Sequence, residues 1–208
     1  VSVAVAVLAG GRGSRLDSKT PKPLLELRGR PLVAWALDAA TASGLTPVVL
    51  VTGFRAEAVA GAAPQGVVVV HADRWHDGIA HSLHAGLAAL LPSPGVSAVC
   101  VGLADQPRVG PDSYRRLALA HEAGAELAVA TYDGARGNPV LLGRSLWDEA
   151  SRLTGDIGAR TLMRTHPVTE VDCSGTGDPA DVDTLDDLRA AEGAFDRAAT
   201  RSDGQRKS

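Results

Sequence analysis

Short apolar runs alternate with amphipathic stretches along most of this chain, and that alternation limits the folds open to it. Runs at 1–8, 47–52, 66–70, 96–103 and 126–132 are short and apolar, the pattern of strands buried on both faces. Between them, 31–42, 55–62, 79–91 and 111–122 read as helices. Ile79, Leu83, Leu87 and Leu90 form a helical stripe, and Pro31 and Pro111 stand at first-turn positions. A βαβα order with short connections predicts an α/β fold of three layers, helices on both faces of a mostly parallel sheet. The last third changes character. Residues 138–142 read as an extra strand and a small antiparallel addition, 144–152 and 157–165 as helices, 168–171 as a strand, and 184–195 as a closing helix capped by Asp183 or Thr184.

At 208 residues, 45% of them apolar, the chain is long enough for one large domain with its own core. That domain is expected over 1–195, with 133–182 covering a second substrate. The polar, aperiodic residues 196–208 are expected to form a disordered tail. A net charge of −3 argues against a nucleic-acid surface. No run reaches the roughly 18–20 apolar residues that span a bilayer. The first nine residues lack the basic start of a signal peptide, so a cytoplasmic protein is expected. Cys100 lies in an apolar run and Cys173 far from it, which suggests neither a disulfide framework nor a zinc site.

The first strand empties into GGRGSRLDSKTPKPLLEL. Three glycines, Gly10, Gly11 and Gly13, let a backbone wrap closely around a ligand, and Arg12, Arg15, Lys19 and Lys22 supply positive charge. At the end of a strand this combination describes a grip on a triphosphate. A dinucleotide fingerprint fits poorly, because its third glycine is missing and no acidic residue closes the second strand; a GxxxxGK[ST] loop does not occur. A merely basic surface loop leaves the glycines unexplained.

Other motifs fall where ligands bind a parallel sheet, beyond the carboxyl ends of its strands. Asp105 in LADQP follows the fourth run, where a Mg²⁺ ligand belongs opposite a triphosphate; it is equally suited to capping a turn. Asp181 and Asp183 in DPADVDT alternate about Val182, and one of them would complete such a site unless it caps the closing helix. In WHDGIAHSL, Gly78 would let backbone approach a flat base and Ser82 would present a hydroxyl near a helix start. His71, His76, His81 and His84 do not have the spacing of a metal motif. Arg136 and Asn138 in RGNP, and Asp156 and Arg160 in GDIGAR, stand in Gly-rich turns suited to a second substrate, with Asp156 also readable as a helix cap.

Taken together and in order, LAGGRGSRL, TPKPLLEL, WHDGIAHSLHAGLAAL, LADQP, RGNPVLL, LTGDIGARTLM and DVDTLDDL resemble the molybdenum cofactor cytidylyltransferases within the nucleotidyltransferase superfamily, over about residues 3–190. The resemblance implies a Rossmann-like fold and transfer of CMP from CTP to molybdenum-bound molybdopterin, with release of pyrophosphate. It implies catalytic roles for Lys22, Arg15 and Asp105, and nucleotide binding by Leu8, Ala9, Gly10, Gly11, Gly13, Arg15, Lys22, Gly78, Ser82 and Asp105. Mg²⁺ or Mn²⁺ would sit on Asp105 and Asp183, and the acceptor would meet Arg136, Asn138, Asp156 and Arg160. A molybdenum hydroxylase apoenzyme or its chaperone would receive the product; neither nucleic acid nor membrane is implied as a partner. The chain departs from the cytidylyl pattern at Gly10, where that branch reads Ala and the guanylyl branch reads Gly. GTP, a sugar-phosphate acceptor and a non-catalytic cofactor carrier therefore stand as alternatives.

Overall fold

The computed structural model describes residues 2–11 and 20–205. Among these residues lie nine strands: β1 (Ser2–Ala9), β2 (Glu26–Leu27), β3 (Arg30–Pro31), β4 (Val48–Thr52), β5 (Val68–His71), β6 (Val96–Leu103), β7 (Leu127–Tyr132), β8 (Ala135–Gly143) and β9 (Thr169–Asp172). The helices are α1 (Leu32–Ala42), α2 (Ala56–Ala60), α3 (Ile79–Leu90), α4 (Pro111–Glu122), α5 (Trp147–Ala150) and α6 (Leu185–Gln205). Seven strands form one sheet in the order β5-β4-β1-β6-β8-β7-β9, and all pair in parallel except β8, which is antiparallel to both neighbours. The fold is the expected Rossmann-like α/β one, with a small antiparallel β2–β3 pair beside it.

Both faces of the sheet are covered, which is why its strands read as continuous apolar runs. Val3, Val5, Val7 and Ala9 of β1 pack with Val33, Ala36 and Leu37 of α1, Val59 of α2 and Leu117 of α4. Ala4, Ala6 and Leu8 point the other way, toward Leu83, Leu87 and Leu90 of α3 and Trp147 and Ala150 of α5. A third, smaller cluster joins Leu27 and Leu32 to Val182 and Ala191, tying α6 to the β2–β3 pair. Among the described residues no helix is long and apolar enough to cross a membrane.

Departures from expectation have local causes. The β2–β3 hairpin turns on Arg28 and Gly29, both at positive φ (54° and 73°), a two-residue turn that usually carries Asn or Asp before its Gly. Asp133 and Gly134 make the same kind of turn (φ 51° and 82°), so the chain folds straight back from β7 and β8 begins at Ala135 rather than 138. The expected helices at 144–152 and 157–165 break up into a 3-10 turn (Arg144–Leu146), the four-residue α5 and a second 3-10 turn (Ala159–Arg164). Gly155, at φ 66°, separates the two stretches. The closing helix continues to Gln205, past the expected end at 195 and through most of the expected tail.

Candidate active site

The strand order reverses beside β1: the chain runs from β1 outward to β4 and β5, then returns to lay β6 on the other side. The crevice beyond the carboxyl ends of β1 and β6 is the place such a sheet offers to a ligand. Leu8 pairs with Leu103 across these strands, and the Ala104 N–H donates to the Leu8 carbonyl at 3.0 Å. Gly10 and Asp105 therefore leave the sheet side by side. Of the residues expected to grip phosphate, Arg12, Gly13, Arg15 and Lys19 lie outside the described residues.

Lys22 stands on a 3-10 turn (Lys22–Leu24) between Pro21 and Pro23, only 9% exposed. Its Nζ donates to Asp105 Oδ2 and to Asp183 Oδ1, both at 2.5 Å. The two carboxylate oxygens thus lie no more than twice that distance apart. Burial pulls the Lys22 pKa down, but its contacts with Asp105 and Asp183 outweigh it and hold the value above that of a free lysine.

Two backbone devices bring Asp183 to Asp105 across 78 residues of sequence. The Val182 N–H donates to the Asp105 carbonyl at 2.9 Å, laying the acidic segment along the end of β6. Thr184 and Asp187 then form a reciprocal cap for α6: the Asp187 N–H donates to Thr184 Oγ1 at 3.1 Å, while Asp187 Oδ2 accepts from the Thr184 N–H and hydroxyl, both at 2.8 Å. The Asp183 carboxylate is thereby spared the capping role and turns to Lys22.

Asp181 is engaged differently. Gln106, 4% exposed, donates Nε2 to Asp181 Oδ1 at 2.8 Å and to the Pro179 carbonyl at 2.7 Å, and its Oε1 accepts from Asn138 at 3.1 Å. Burial, then the nearby Asp105 charge, holds the Asp181 carboxyl above the usual carboxylate range despite the Gln106 hydrogen bond. The LADQP motif contains Gln106 but by itself assigns it no role; the signal in the sequence is an amide immediately after the strand-end carboxylate.

Two cavities open on this cluster. One, of about 430 Å³, is lined by Gly10, Gly11, Trp75, Gly78, Ser82 and Asp105. The other, of about 380 Å³, has an aliphatic floor that includes Val101 and Val140, with Gln106, Asn138, Arg160 and Asp181 around it. Leu8, Ile79, Leu103 and Asp156 line both. Ala9 is buried in β1 and lines neither. The structure does not bring Arg136 to the cluster: it sits near the β7–β8 turn and pairs with Glu170 of β9 at 2.7 Å.

Gly10 and Gly78 are glycines for steric reasons. A Cβ on Gly10 would lie 2.5 Å from Ser82 Oγ. Gly78 has φ 115°, and a Cβ there would meet the backbone of Gly155 and Asp156. The Ala80 N–H donates to the Gly155 carbonyl at 3.2 Å, so Gly78 admits the 154–158 turn and not a base alone.

The chemistry of the pair Asp105 and Asp183 suits a hard divalent ion. Asp105 Oδ1 is buried with no hydrogen-bond partner among the described residues, and its other oxygen faces Asp183 across a cation. Among the described residues there is no group of three or more metal-ligating side chains. Two carboxylates with phosphate oxygens and water are a usual Mg²⁺ set.

The MobA-like NTP transferase domain model matches residues 5–171. Nicotine blue oxidoreductase of Paenarthrobacter nicotinovorans is 35% identical over 194 residues, spanning 88% of this chain and 92% of that protein. Bifunctional protein GlmU of Dinoroseobacter shibae is 34% identical over 152 residues, 71% of this chain but 32% of GlmU. The crystal structure of Rv0371c from Mycobacterium tuberculosis superposes with a TM-score of 0.79 at 35% identity, covering 93% of this chain and 98% of that one. The same protein has also been crystallised in complex with manganese (TM-score 0.76). This chain belongs to the family of MobA-like NTP transferase domains and is a nucleotidyltransferase.

Proposed function

We propose that the enzyme transfers CMP from CTP to the terminal phosphate of a molybdopterin-type acceptor, giving the cytosine dinucleotide cofactor and pyrophosphate. The observation that carries the reading is Lys22 between Asp105 and Asp183, with Asp105 lining a glycine-edged cavity that shares a wall with a second, partly apolar one. That is the arrangement needed to bring a triphosphate and a phosphorylated acceptor end to end. A phosphate oxygen of the acceptor forms the new bond at the α-phosphorus. The bond to the bridging oxygen breaks, and pyrophosphate leaves with the electron pair. The nucleophile is ionised near neutral pH, so this chain's task is alignment and charge neutralisation rather than proton removal.

The backbone of Gly10 and Gly11 and the Ser82 hydroxyl would hold nucleoside and phosphates, joined by Gly13 and Arg15. Lys22, kept protonated by its carboxylate neighbours, would neutralise charge building on the leaving pyrophosphate. Asp105 and Asp183 would hold Mg²⁺ or Mn²⁺, which supplies further charge neutralisation at the α-phosphate when bound. Asn138, Asp156 and Arg160 would meet the acceptor, with Gln106 and Asp181. Ser82 Oγ fills the room that a methyl on Gly10 would take, so glycine here does not by itself enlarge the base pocket. The glycine is therefore no argument for GTP over CTP. A reaction that draws on cellular CTP fits a cytoplasmic location, and a molybdenum hydroxylase or its chaperone would take the product.

A redox reading is favoured by one observation, the 35% identity to nicotine blue oxidoreductase across 92% of that protein. The test incubates the protein with each NTP, Mg²⁺ and either molybdenum-bound molybdopterin or a sugar 1-phosphate while pyrophosphate is followed, and in parallel measures reduction of nicotine blue with a reduced nicotinamide cofactor as electron donor. Pyrophosphate from CTP supports the proposal. Release from GTP alone moves the base, release with a sugar 1-phosphate alone moves the acceptor, and dye reduction without pyrophosphate removes the proposal.

A further inference from the structure

We infer that Lys22 is a built-in cation that holds the Asp105–Asp183 pair until a triphosphate draws it away, so that a divalent ion and the nucleotide bind as a coupled pair. The inference rests on the nucleotidyl-transfer reading for the identity of the drawing anion. It does not rest on that reading for the competition at the carboxylates.

The geometry sets up the competition. The ammonium sits 2.5 Å from one oxygen of each carboxylate, and Asp105 in turn lines the glycine-edged cavity. A divalent ion shared by Asp105 and Asp183 needs those same oxygens, and two cations cannot occupy one gap between them. Asp105 Oδ1 is buried and without a partner among the described residues, so a solvated ion has no easy access to it while Lys22 is in place. Full engagement of both carboxylates requires Lys22 to leave.

The backbone at Lys22 is tied into a turn. Its turn is closed by the Leu24 N–H on the Pro21 carbonyl at 2.8 Å and the Leu25 N–H on the Lys22 carbonyl at 3.1 Å. The movement falls to the flexible four-carbon stem. Withdrawing a nearly buried ammonium from both its counter-ions is strongly unfavourable unless another anion receives it. A triphosphate beside Gly10 and Gly11 is such an anion, carrying several negative charges in the same cavity. Each ligand therefore removes the obstacle to the other, which is a coupling free energy and is reciprocal.

The test measures free Mn²⁺ by electron paramagnetic resonance in the wild-type protein and in Lys22→Met, alone and with a CTP analogue whose α–β bridging oxygen is a methylene. In the wild type, the analogue is expected to tighten Mn²⁺ binding by about 5- to 150-fold, the usual span of coupling between sites. Lys22→Met should bind Mn²⁺ alone about tenfold or more tightly than the wild type, and its gain with the analogue, after subtraction of the Mn²⁺ that the analogue binds without protein, should be smaller than that of the wild type because only the phosphate ligands are added. Asp183→Asn should lose the tight mode under both conditions. Equal or weaker Mn²⁺ binding by Lys22→Met than by the wild type overturns the inference. Should Lys22→Met not fold, as read by circular dichroism, the wild-type arm decides: Mn²⁺ bound as tightly alone as with the analogue overturns it. If the analogue does not bind at all, the assignment of CTP fails, and the Mn²⁺ comparison between wild type and Lys22→Met still decides the competition.

Discussion

Lys22, Asp105 and Asp183 come from three distant parts of the chain and meet at one point. Lys22→Ala removes a buried ammonium and leaves two carboxylates facing each other, so both positioning and charge neutralisation suffer. Loss of one preorganised electrostatic contact typically lowers kcat by about 10²- to 10³-fold. We expect a fall of that size for Lys22→Ala and Asp105→Asn, measured as pyrophosphate release at saturating CTP, with a far smaller effect for Arg136→Ala, whose side chain is paired to Glu170. A full-size loss in Arg136→Ala would place the acceptor elsewhere. Gly10 offers a second test at this scale. Its missing methyl is replaced by Ser82 Oγ, so Gly10→Ala overfills the contact, a change that typically costs about 1–3 kcal/mol. The expected result is a lower Tm for Gly10→Ala, recovered in Gly10→Ala/Ser82→Ala, where the contact is relieved. No recovery in the double variant would mean that Ser82 is not what limits the size of residue 10.

At the scale of elements, legibility followed how local the determining interaction is. β6 and α4 begin and end where their own apolar runs and first-turn proline imply. The β2–β3 hairpin was hidden because its turn places Arg28, not Asn or Asp, at positive φ. The choice between Asp181 and Asp183 as partner of Lys22 was hidden too, since it depends on the Thr184–Asp187 cap and on a backbone bond to Asp105. The orientation of Arg136 depends on Glu170, brought alongside only by the β8-β7-β9 order. The junction between the start of α3 and the 154–158 turn is likewise long-range, and it rests on Gly78. Gly78→Ala forces a side chain into both a left-handed backbone conformation and the Gly155 backbone. Strain of this kind costs on the order of 1–3 kcal/mol. We expect a lower Tm, and a KM for the acceptor raised more than that for CTP, because Asp156 and Arg160 follow the displaced turn. A variant with unchanged Tm and unchanged acceptor KM would show that the turn is not held by this contact.

At the scale of the whole molecule, the two cavities share the residues Leu8, Ile79, Leu103 and Asp156, and these come from β1, α3, the end of β6 and the 154–158 turn. Ligands in either cavity therefore bridge the sheet to helices on one of its faces, and they bind a surface that exists only in the folded chain. A ligand with that property stabilises by mass action, about 2.7 kcal/mol at a concentration of one hundred times its Kd. For a chain of 208 residues this corresponds to a Tm rise of roughly 5–10 °C. The nucleotide that gives the larger rise at equal concentration, CTP or GTP, identifies the base that the Gly10–Ser82 contact admits; CTP is expected. With Mg²⁺ added the rise should grow by more than the effect of Mg²⁺ alone, since Lys22 yields the carboxylates only when phosphate receives it. Additive effects of metal and nucleotide on Tm would instead place them at independent sites, and the shared position of Lys22 between Asp105 and Asp183 would then serve stability rather than transfer.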